Sequence, residues 1–215
     1  MRLARRVPVS PSREDQILAA ALELFFTRGY HACSLRDLAG VLEMNVATLY
    51  HYFESKDQIL FRLQHDGMDI LMNRVTEALN AAAADDHAGR MSALCRAHFA
   101  YHTEHTWSAR LHVAEFRSLE PASREVIRDQ MKRYERVFID VVEAGVEAGV
   151  FAPHATKITA FTVMGAGAHI SNWYRADGAL SAAEIVDEAV EFVMDGLLAR
   201  RRTRSRPTPT AMEPA

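Results

Sequence analysis

Cysteine and long apolar runs are scarce in this sequence. Only two cysteines, Cys33 and Cys95, occur in 215 residues. Neither belongs to a paired motif, so we expect no disulfide framework and a cytoplasmic protein. No apolar run reaches the roughly 18 residues of a membrane span, and the first ten residues lack the apolar stretch of a signal peptide. We therefore expect no membrane partner.

Catalytic motifs are missing as well. The sequence has no recognisable serine or cysteine nucleophile motif, no evident carboxylate pair and no glycine loop that could cradle phosphates. We therefore expect a protein that is not an enzyme and that needs no cofactor. The alternating apolar and polar runs of strands are also absent, whereas helical periodicity recurs throughout. This pattern predicts an all-α fold with nine or ten helices.

An excess of positive charge is absent. The net charge is −3, and the first 60 residues hold seven basic and seven acidic side chains. Charge alone therefore does not indicate nucleic-acid binding. The local exception is residues 1–11, where Arg2, Arg5 and Arg6 predict a flexible basic arm that lies along phosphates or enters a minor groove. A solubilising tail is the alternative interpretation.

The most informative stretch is residues 34–57. Its apolar residues recur at helical spacing, stop at residues 43–45 and then resume. They are Leu35, Leu38, Ala39, Leu42, Val46, Leu49 and Phe53. Ser34 can cap the first helix, with Asp37 three residues on. Two short helices joined by three or four residues have the spacing of a helix-turn-helix.

The second of these helices has an unusual exposed face. It carries aromatic, hydroxyl and small residues but no acid before Glu54, which suits a surface pressed against phosphates and base edges. Lys56 follows in the first turn of the next helix, where a phosphate is a sensible partner. The candidate DNA-contacting residues are Ser34, Asn45, Ala47, Thr48, Tyr50, His51, Tyr52 and Lys56. Helix-turn-helix geometry also occurs in proteins that bind no DNA, and packing is the alternative role for Tyr50 and Tyr52.

Residues 17–60 resemble the TetR/AcrR-type transcriptional regulators. The stretches ALELFFTRGY, SLRDLA and LYHYFESKDQIL match the family pattern in order and spacing. The resemblance implies a homodimeric, ligand-responsive repressor that binds a palindromic operator in double-stranded DNA and leaves it when a small molecule binds. One departure is Glu43-Met44-Asn45 at the turn, where the family more often has small or glycine residues. This departure bears on the operator sequence rather than on the fold.

The domain organisation follows from the helix pattern. We expect a DNA-binding domain over residues 12–56, a helical ligand-binding and dimerisation domain over residues 57–202, and a disordered tail over residues 203–215. One long helix from residue 57 to about residue 80 would belong to both domains. The last two helices span about 154–175 and 181–202, and the last one carries more apolar residues than one stripe needs. In the family these two helices form the dimer interface.

The larger domain resembles the branch of the family that responds to acyl-coenzyme A thioesters. The stretches HTEHTWSARLHVAEFRSLEP, EAGVEAGVF and HISNWYRADGAL carry this resemblance. Another apolar small molecule is the alternative effector, and plain core packing is the alternative role for each candidate. The candidates for the pocket wall are Met68, Leu71, Met72, Phe99, His102, Trp107, Phe116, Tyr134, Phe138, Met164, Gly167, Ile170 and Trp173. Arg110, Arg117 and Arg175 are candidates for phosphate or carbonyl contacts.

A metal-responsive regulator on the same scaffold is the alternative function. His98, His102 and His105 fall at positions i, i+4 and i+7 of one helix face, and histidines at i and i+4 can chelate a divalent metal. However, the sequence shows no acid or cysteine arranged to complete the coordination shell.

Overall fold

The described part of the chain is helical almost throughout. The structure, a computed structural model, describes residues 12–152 and 155–198, and within these ranges it contains nine α-helices and one short 3-10 helix at Phe116–Ser118. The α-helices are α1 (Arg13–Arg28), α2 (Leu35–Val41), α3 (Val46–Tyr50), α4 (Lys56–Ala81), α5 (His87–Glu104), α6 (Thr106–Glu115), α7 (Pro121–Glu147), α8 (Thr156–Trp173) and α9 (Ala182–Leu197). The predicted all-α fold is confirmed. The predicted arm (1–11) and tail (203–215) lie outside the described residues.

Local capping sets the bounds of the first helices. Ser12 and Ser34 each form a capping box with the aspartate three residues on, and the side chain of Asn45 accepts from the backbone N–H of Ala47 at the start of α3. Such caps satisfy amides that have no partner inside the helix. Gly29 ends α1 with a φ of 86°, which a glycine adopts without steric cost.

The turn between α2 and α3 contains a strained residue. Glu43 has a φ of 49° and is the only non-glycine residue with positive φ in the described part of the chain. The backbone N–H of Met44 donates to the carbonyl of Ala39 at 3.0 Å and closes this turn. A side chain in the left-handed region costs roughly 1–2 kcal/mol. Glu43 therefore holds the conformation that a glycine would adopt freely.

Helix α4 belongs to both halves of the molecule, as the sequence pattern predicts. Its 26 residues extend about 39 Å at 1.5 Å per residue. Ile59 and Leu60, near its start, are buried in the core of the helix-turn-helix region, and Met68, Leu71 and Val75 are buried in the second core. A displacement of α4 therefore acts on both cores.

The core of the first three helices also includes residues from much later in the chain. The same cluster that holds Ile17, Phe25 and Leu49 also contains Leu111 of α6, Leu119 just before α7, and Ile127 of α7. We call α1–α3 with the start of α4 the head, and α5–α9 with the rest of α4 the body. Because the head and the body share buried residues, the predicted boundary at residues 56 and 57 does not separate two independent cores.

The body is built around α5. This helix packs against α4, α7, α8 and α9, and its Met91, Leu94, Cys95 and Phe99 are fully buried. The ends of α7 and α9 are joined where the backbone N–H of Ala152 donates to the carbonyl of Leu197 at 2.8 Å. Helices α8 and α9 are shorter than predicted, and residues 154 and 199–202 of the predicted spans lie outside the described residues. None of the described helices is long and apolar enough to cross a membrane.

Candidate functional site

Helix α3 presents the face that the sequence pattern predicts. Leu49 is buried under the helix, whereas all the predicted contact residues from α3 and its flanks are exposed. These residues are Asn45, Ala47, Thr48, Tyr50, His51 and Tyr52. Two of them are large aromatics, Tyr50 at 53% exposure and Tyr52 at 41%. An exposed helix without acids and with a row of aromatic and hydroxyl groups is compatible with the phosphate backbone.

Ser34 and Lys56 are engaged inside the head. The Ser34 hydroxyl donates to the carboxylate of Asp37 and accepts from its backbone N–H, so it acts as a cap. The Lys56 ammonium donates to the carbonyls of Tyr30 and Cys33, both at 2.8 Å, and lies 4.2 Å from the centre of the Tyr30 ring. Two of its three N–H donors are thus used within the protein. Contact of either residue with DNA stays a prediction.

Several contacts join the head to the body close to α4. Arg62 of α4 pairs with Glu14 of α1 at 2.7 Å, and the carboxylate of Asp57 accepts from the backbone N–H of Glu120 at 2.9 Å. Trp107 of α6 stacks on Phe26 of α1, with 5.0 Å between ring centres. These contacts tie the orientation of the head to the helices of the body.

A cavity of about 310 Å³ lies in the body between α4, α5, α6, α7 and α8. Its wall is mostly apolar, which is usual for small-molecule sites of this size. The structure places five of the predicted pocket residues on this wall: Met68, Leu71, His102, Tyr134 and Met164. The wall residues that the sequence interpretation missed include Leu63, Gln64, Gly67, His98, Tyr101, Ala109, His112, Val113, Met131, Glu135 and Phe161.

Eight predicted pocket residues do not line this cavity, and a role for them in binding an effector stays a prediction. Phe99, Phe138 and Ile170 are buried in the body core, and Met72 packs against that core. Phe116 packs against the head core, Trp107 stacks on Phe26, and Trp173 is 51% exposed. Gly167 leaves room for a neighbour, because a Cβ there would lie 2.3 Å from Nε2 of His98. Most of these large apolar side chains pack in or against the two hydrophobic cores instead of lining the cavity.

Hydrogen bonds fix the protonation of His98. Its Nε2 lies 3.1 Å from the carbonyl of Met164, and its Nδ1 lies 2.7 Å from the hydroxyl of Tyr134. A carbonyl can only accept, so Nε2 carries the proton, and in the neutral ring Nδ1 accepts from the Tyr134 hydroxyl. Burial lowers the pKa of His98 to about 4, which keeps the ring neutral at pH 7.

The neighbouring histidines on the cavity wall are neutral for the same reason. Burial is the main cause that lowers the pKa of His102 to about 2, with smaller contributions from His98 and His112. Burial also lowers the pKa of His112 to about 4. The cavity therefore presents uncharged imidazoles at neutral pH.

The three histidines of the metal hypothesis do not converge. Both ring nitrogens of His98 are hydrogen-bonded, while His105 stacks on Tyr101 and has its Nε2 3.3 Å from Arg74. Among the described residues, no group of three or more His, Cys, Asp or Glu side chains is placed to hold a metal ion. The interpretation of this face as a metal site is not supported.

An exposed helix-turn-helix joined by one long helix to a larger helical domain is the architecture of a DNA-binding transcriptional regulator. Residues 17–63 match the bacterial regulatory proteins of the tetR family, and residues 84–197 match the tetracyclin repressor-like C-terminal domain. The chain belongs to the TetR family of transcriptional regulators, whose members are not enzymes.

Individual relatives are similar over nearly their whole length. The transcriptional repressor KstR2 of Mycobacterium tuberculosis is 26% identical over 188 residues, which span 86% of this chain and 93% of the relative. The transcriptional activator FasR of Mycolicibacterium smegmatis is 26% identical over 206 residues, which span 95% and 91%. A crystal structure of AibR with isovaleryl coenzyme A and operator DNA has a TM-score of 0.77 at 26% identity, covering 84% of this chain and 97% of AibR.

Proposed function

We propose that the protein is a cytoplasmic, homodimeric repressor that leaves a palindromic operator when an acyl-coenzyme A thioester enters the body. No cofactor other than this effector takes part. The observation that carries the proposal is the cavity on α4, because α4 also contributes Ile59 and Leu60 to the head core. A molecule that displaces α4 from within the cavity therefore also displaces the head.

The exposed face of α3 supports the DNA-binding half of the proposal. A helix-turn-helix places its second helix in the major groove, and a dimer presents two such helices to half-sites one helical turn apart. Thr48, Tyr50 and Tyr52 would contact base edges and phosphates. The first 60 residues are electrically neutral by sequence, so affinity would come from such directed contacts rather than from overall charge.

The surface of α8 and α9 supports a dimer. Phe192 of α9 is 82% exposed, Ile158 of α8 is 69% exposed, and Phe161 is 38% exposed. Ile158 and Phe192 line one groove between the two helices. Apolar side chains at this exposure on adjacent helices indicate a surface that a partner covers. A twofold dimer would cover the same surface on both copies.

The shape of the body supports an acyl thioester as effector. The 310 Å³ cavity has an apolar wall that suits an acyl chain, and a second, more polar cavity of about 350 Å³ shares Val113 and Ala168 with it. Arg110 lines this second cavity, between α1, α6 and α8. The acyl chain would occupy the first cavity and the coenzyme would extend past Val113 towards Arg110. The complex of AibR with isovaleryl coenzyme A shows that a relative binds this class of molecule.

The effector must prefer one arrangement of the heads. A molecule with equal affinity for the operator-bound and released arrangements shifts nothing, however tightly it binds. By the same linkage, operator DNA must weaken binding of the effector by the factor with which the effector weakens DNA binding.

Fluorescence anisotropy with labelled DNA from the region upstream of the protein's own gene tests the proposal. We expect salt-sensitive binding that is stronger than to a shuffled sequence, and release by isovaleryl-, octanoyl- or palmitoyl-coenzyme A. The variant Tyr50→Ala should weaken binding by about 1–3 kcal/mol, the range of a good base contact, whereas Val126→Ala, on the exposed surface of α7, should not. Equal affinity for the upstream DNA and for the shuffled sequence would contradict the proposal.

A further inference from the structure

Two polar side chains on the cavity wall are buried without partners. Gln64 of α4 is 3% exposed, and neither its Nε2 nor its Oε1 has a hydrogen-bond partner among the described residues. His102 of α5 is 6% exposed, and its Nδ1 has no partner there either. Both side chains line the 310 Å³ cavity.

Buried polar atoms without hydrogen-bond partners destabilise a folded protein. A buried amide or imidazole nitrogen without a hydrogen bond costs about 1–3 kcal/mol, and the great majority of buried polar groups are paired. His98, on the same wall, has both nitrogens paired by Tyr134 and Met164. The unpaired atoms of Gln64 and His102 are thus unused hydrogen-bonding capacity on two residues of the cavity wall.

The charges on the wall limit what that occupant can be. No Lys or Arg is among the residues that line this cavity, its buried histidines are neutral, and Glu135 is the one acidic residue there. A free carboxylate would lose its hydration without meeting a cation and would share the cavity with the carboxylate of Glu135. A neutral oxygen loses far less on burial and can accept the hydrogen bonds on offer.

We propose that Gln64 and His102 bind a neutral carbonyl oxygen of the effector, so that the cavity takes acyl thioesters and excludes the free acids. Nε2 of Gln64 donates one hydrogen bond to the carbonyl, and His102 donates a second from Nδ1. That the carbonyl belongs to a thioester rests on the proposed function. That the cavity prefers a neutral carbonyl to a carboxylate does not depend on it.

The position of Gln64 connects recognition to the head. Gln64 lies one helical turn after Leu60, which is fully buried in the head core. A hydrogen bond at Gln64 therefore acts on α4 at the point where this helix leaves the head. An apolar chain of the same length without the carbonyl would fill the cavity and leave this contact unmade.

Two probe pairs test the inference on the full-length protein by titration calorimetry. The first pair is octanoyl-coenzyme A and S-octyl-coenzyme A, a thioether that lacks the carbonyl. The second pair, 2-decanone and decanoate, needs no coenzyme. The test variant is Gln64→Leu, and the matched control is Gln130→Leu, because Gln130 is also buried with an unpaired Oε1 but does not line the cavity.

We expect octanoyl-coenzyme A to bind about tenfold more tightly than S-octyl-coenzyme A, as for two net hydrogen bonds. We also expect 2-decanone to bind more tightly than decanoate. Gln64→Leu should reduce the first preference to about threefold by weakening only the thioester, because the hydrogen bond from His102 remains, and Gln130→Leu should retain both preferences. The same thioester-to-thioether ratio in the wild type and in Gln64→Leu would overturn the inference.

The two pairs separate this inference from the proposed function. If both coenzyme A compounds release the operator but bind equally, the carbonyl site is wrong and the proposed function stands. If neither coenzyme A compound binds while 2-decanone is preferred in a Gln64-dependent manner, the neutral carbonyl site stands and the thioester effector is wrong. If none of the four probes binds, both are wrong.

Discussion

Gly167 and His98 show how one residue of α8 fixes a side chain of α5. A Cβ at Gly167 would lie 2.3 Å from Nε2 of His98 and 2.9 Å from Phe99. The absence of a side chain allows the imidazole to reach the carbonyl of Met164. The sequence interpretation placed Gly167 on the wall of an effector pocket. In the structure the space beside Gly167 is filled by the ring of His98.

We expect Gly167→Ala to lower the unfolding free energy by about 1–3 kcal/mol, because the added methyl group overpacks the core. The matched control is Gly165→Ala on the same helix, where a Cβ meets nothing within 4 Å. Alanine should be more stable than glycine there by about 0.5–1 kcal/mol. Thermal unfolding by circular dichroism measures both, and shifts of the same sign and size would contradict this assignment.

The buried histidines predict how stability depends on pH. Burial lowers the pKa of His98 to about 4 and that of His102 to about 2, against about 6.5 in an unfolded chain. Below pH 6.5 the unfolded state therefore binds more protons than the folded state. The stability held by the neutral rings is complete above about pH 6.5 and is lost as the pH falls towards about 4.

Denaturant unfolding at a series of pH values from 7.5 to 4.5 checks this prediction. Each of these histidines contributes up to about 1.4 kcal/mol per pH unit in that window. We expect His102→Leu to flatten the profile in part, since the buried His98 and His112 remain. Parallel profiles for the variant and the wild type would show that protonation of His102 does not limit stability.

The residues of the cavity were harder to predict than those of the head for a physical reason. Phe99 and His98 are neighbours in the sequence, yet His98 lines the cavity and Phe99 belongs to the core. The rotation of α5 about its axis decides this, and packing against four other helices sets the rotation. Selection by apolar character favoured Phe99 and overlooked Gln64, whose role depends on atoms left unpaired only after folding.

The start of helix α4 is held by a contact that could not be predicted from the sequence of α4 itself. Lys56 in its first turn donates to the carbonyls of Tyr30 and Cys33, in the loop between α1 and α2. These carbonyls follow the end of α1, and the carbonyl of Tyr30 also accepts from the backbone N–H of Cys33 at 3.2 Å. The lysine therefore joins the start of α4 to the rest of the head.

We expect Lys56→Met to lower the unfolding free energy by about 2–3 kcal/mol, since a hydrogen bond to a charged group contributes about 1.5–3 kcal/mol. Arg36→Met, which replaces an exposed cation on α2, should change stability by less than about 0.5 kcal/mol. Differential scanning calorimetry measures both. An unchanged melting temperature for Lys56→Met would show that these two hydrogen bonds do not stabilise the fold.

The helix boundaries could be predicted because their signals are local. Ser34 with Asp37, and Ser181 with Glu184, form the capping boxes at the starts of α2 and α9. Each box involves residues three positions apart, which a sequence shows directly. The packing of α6 and the start of α7 on the head could not be predicted in this way, because Leu111 and Ile127 contact residues about a hundred positions earlier.

At the scale of the whole molecule, the exposed surface of α8 and α9 predicts a dimer. We expect Phe192→Glu to convert the protein to a monomer, because it places a charge on an apolar side chain that is 82% exposed in one copy. Val126→Glu, on an exposed apolar residue of α7, is the control. Light scattering after size-exclusion chromatography measures the mass, and a dimeric Phe192→Glu protein would place the interface elsewhere.

The account as a whole holds that occupation of the body cavity releases the head from DNA. Ala168 lines both the apolar cavity and the adjoining polar one, so Ala168→Phe should block the effector while leaving the exposed face of α3 unchanged. The decisive measurement is operator affinity of this variant and of the wild type, with and without octanoyl-coenzyme A. We predict equal affinity without the thioester, within about twofold, and release of the wild type alone, because only the wild type can bind the thioester in the cavity. Release of both proteins at the same thioester concentration would contradict the account.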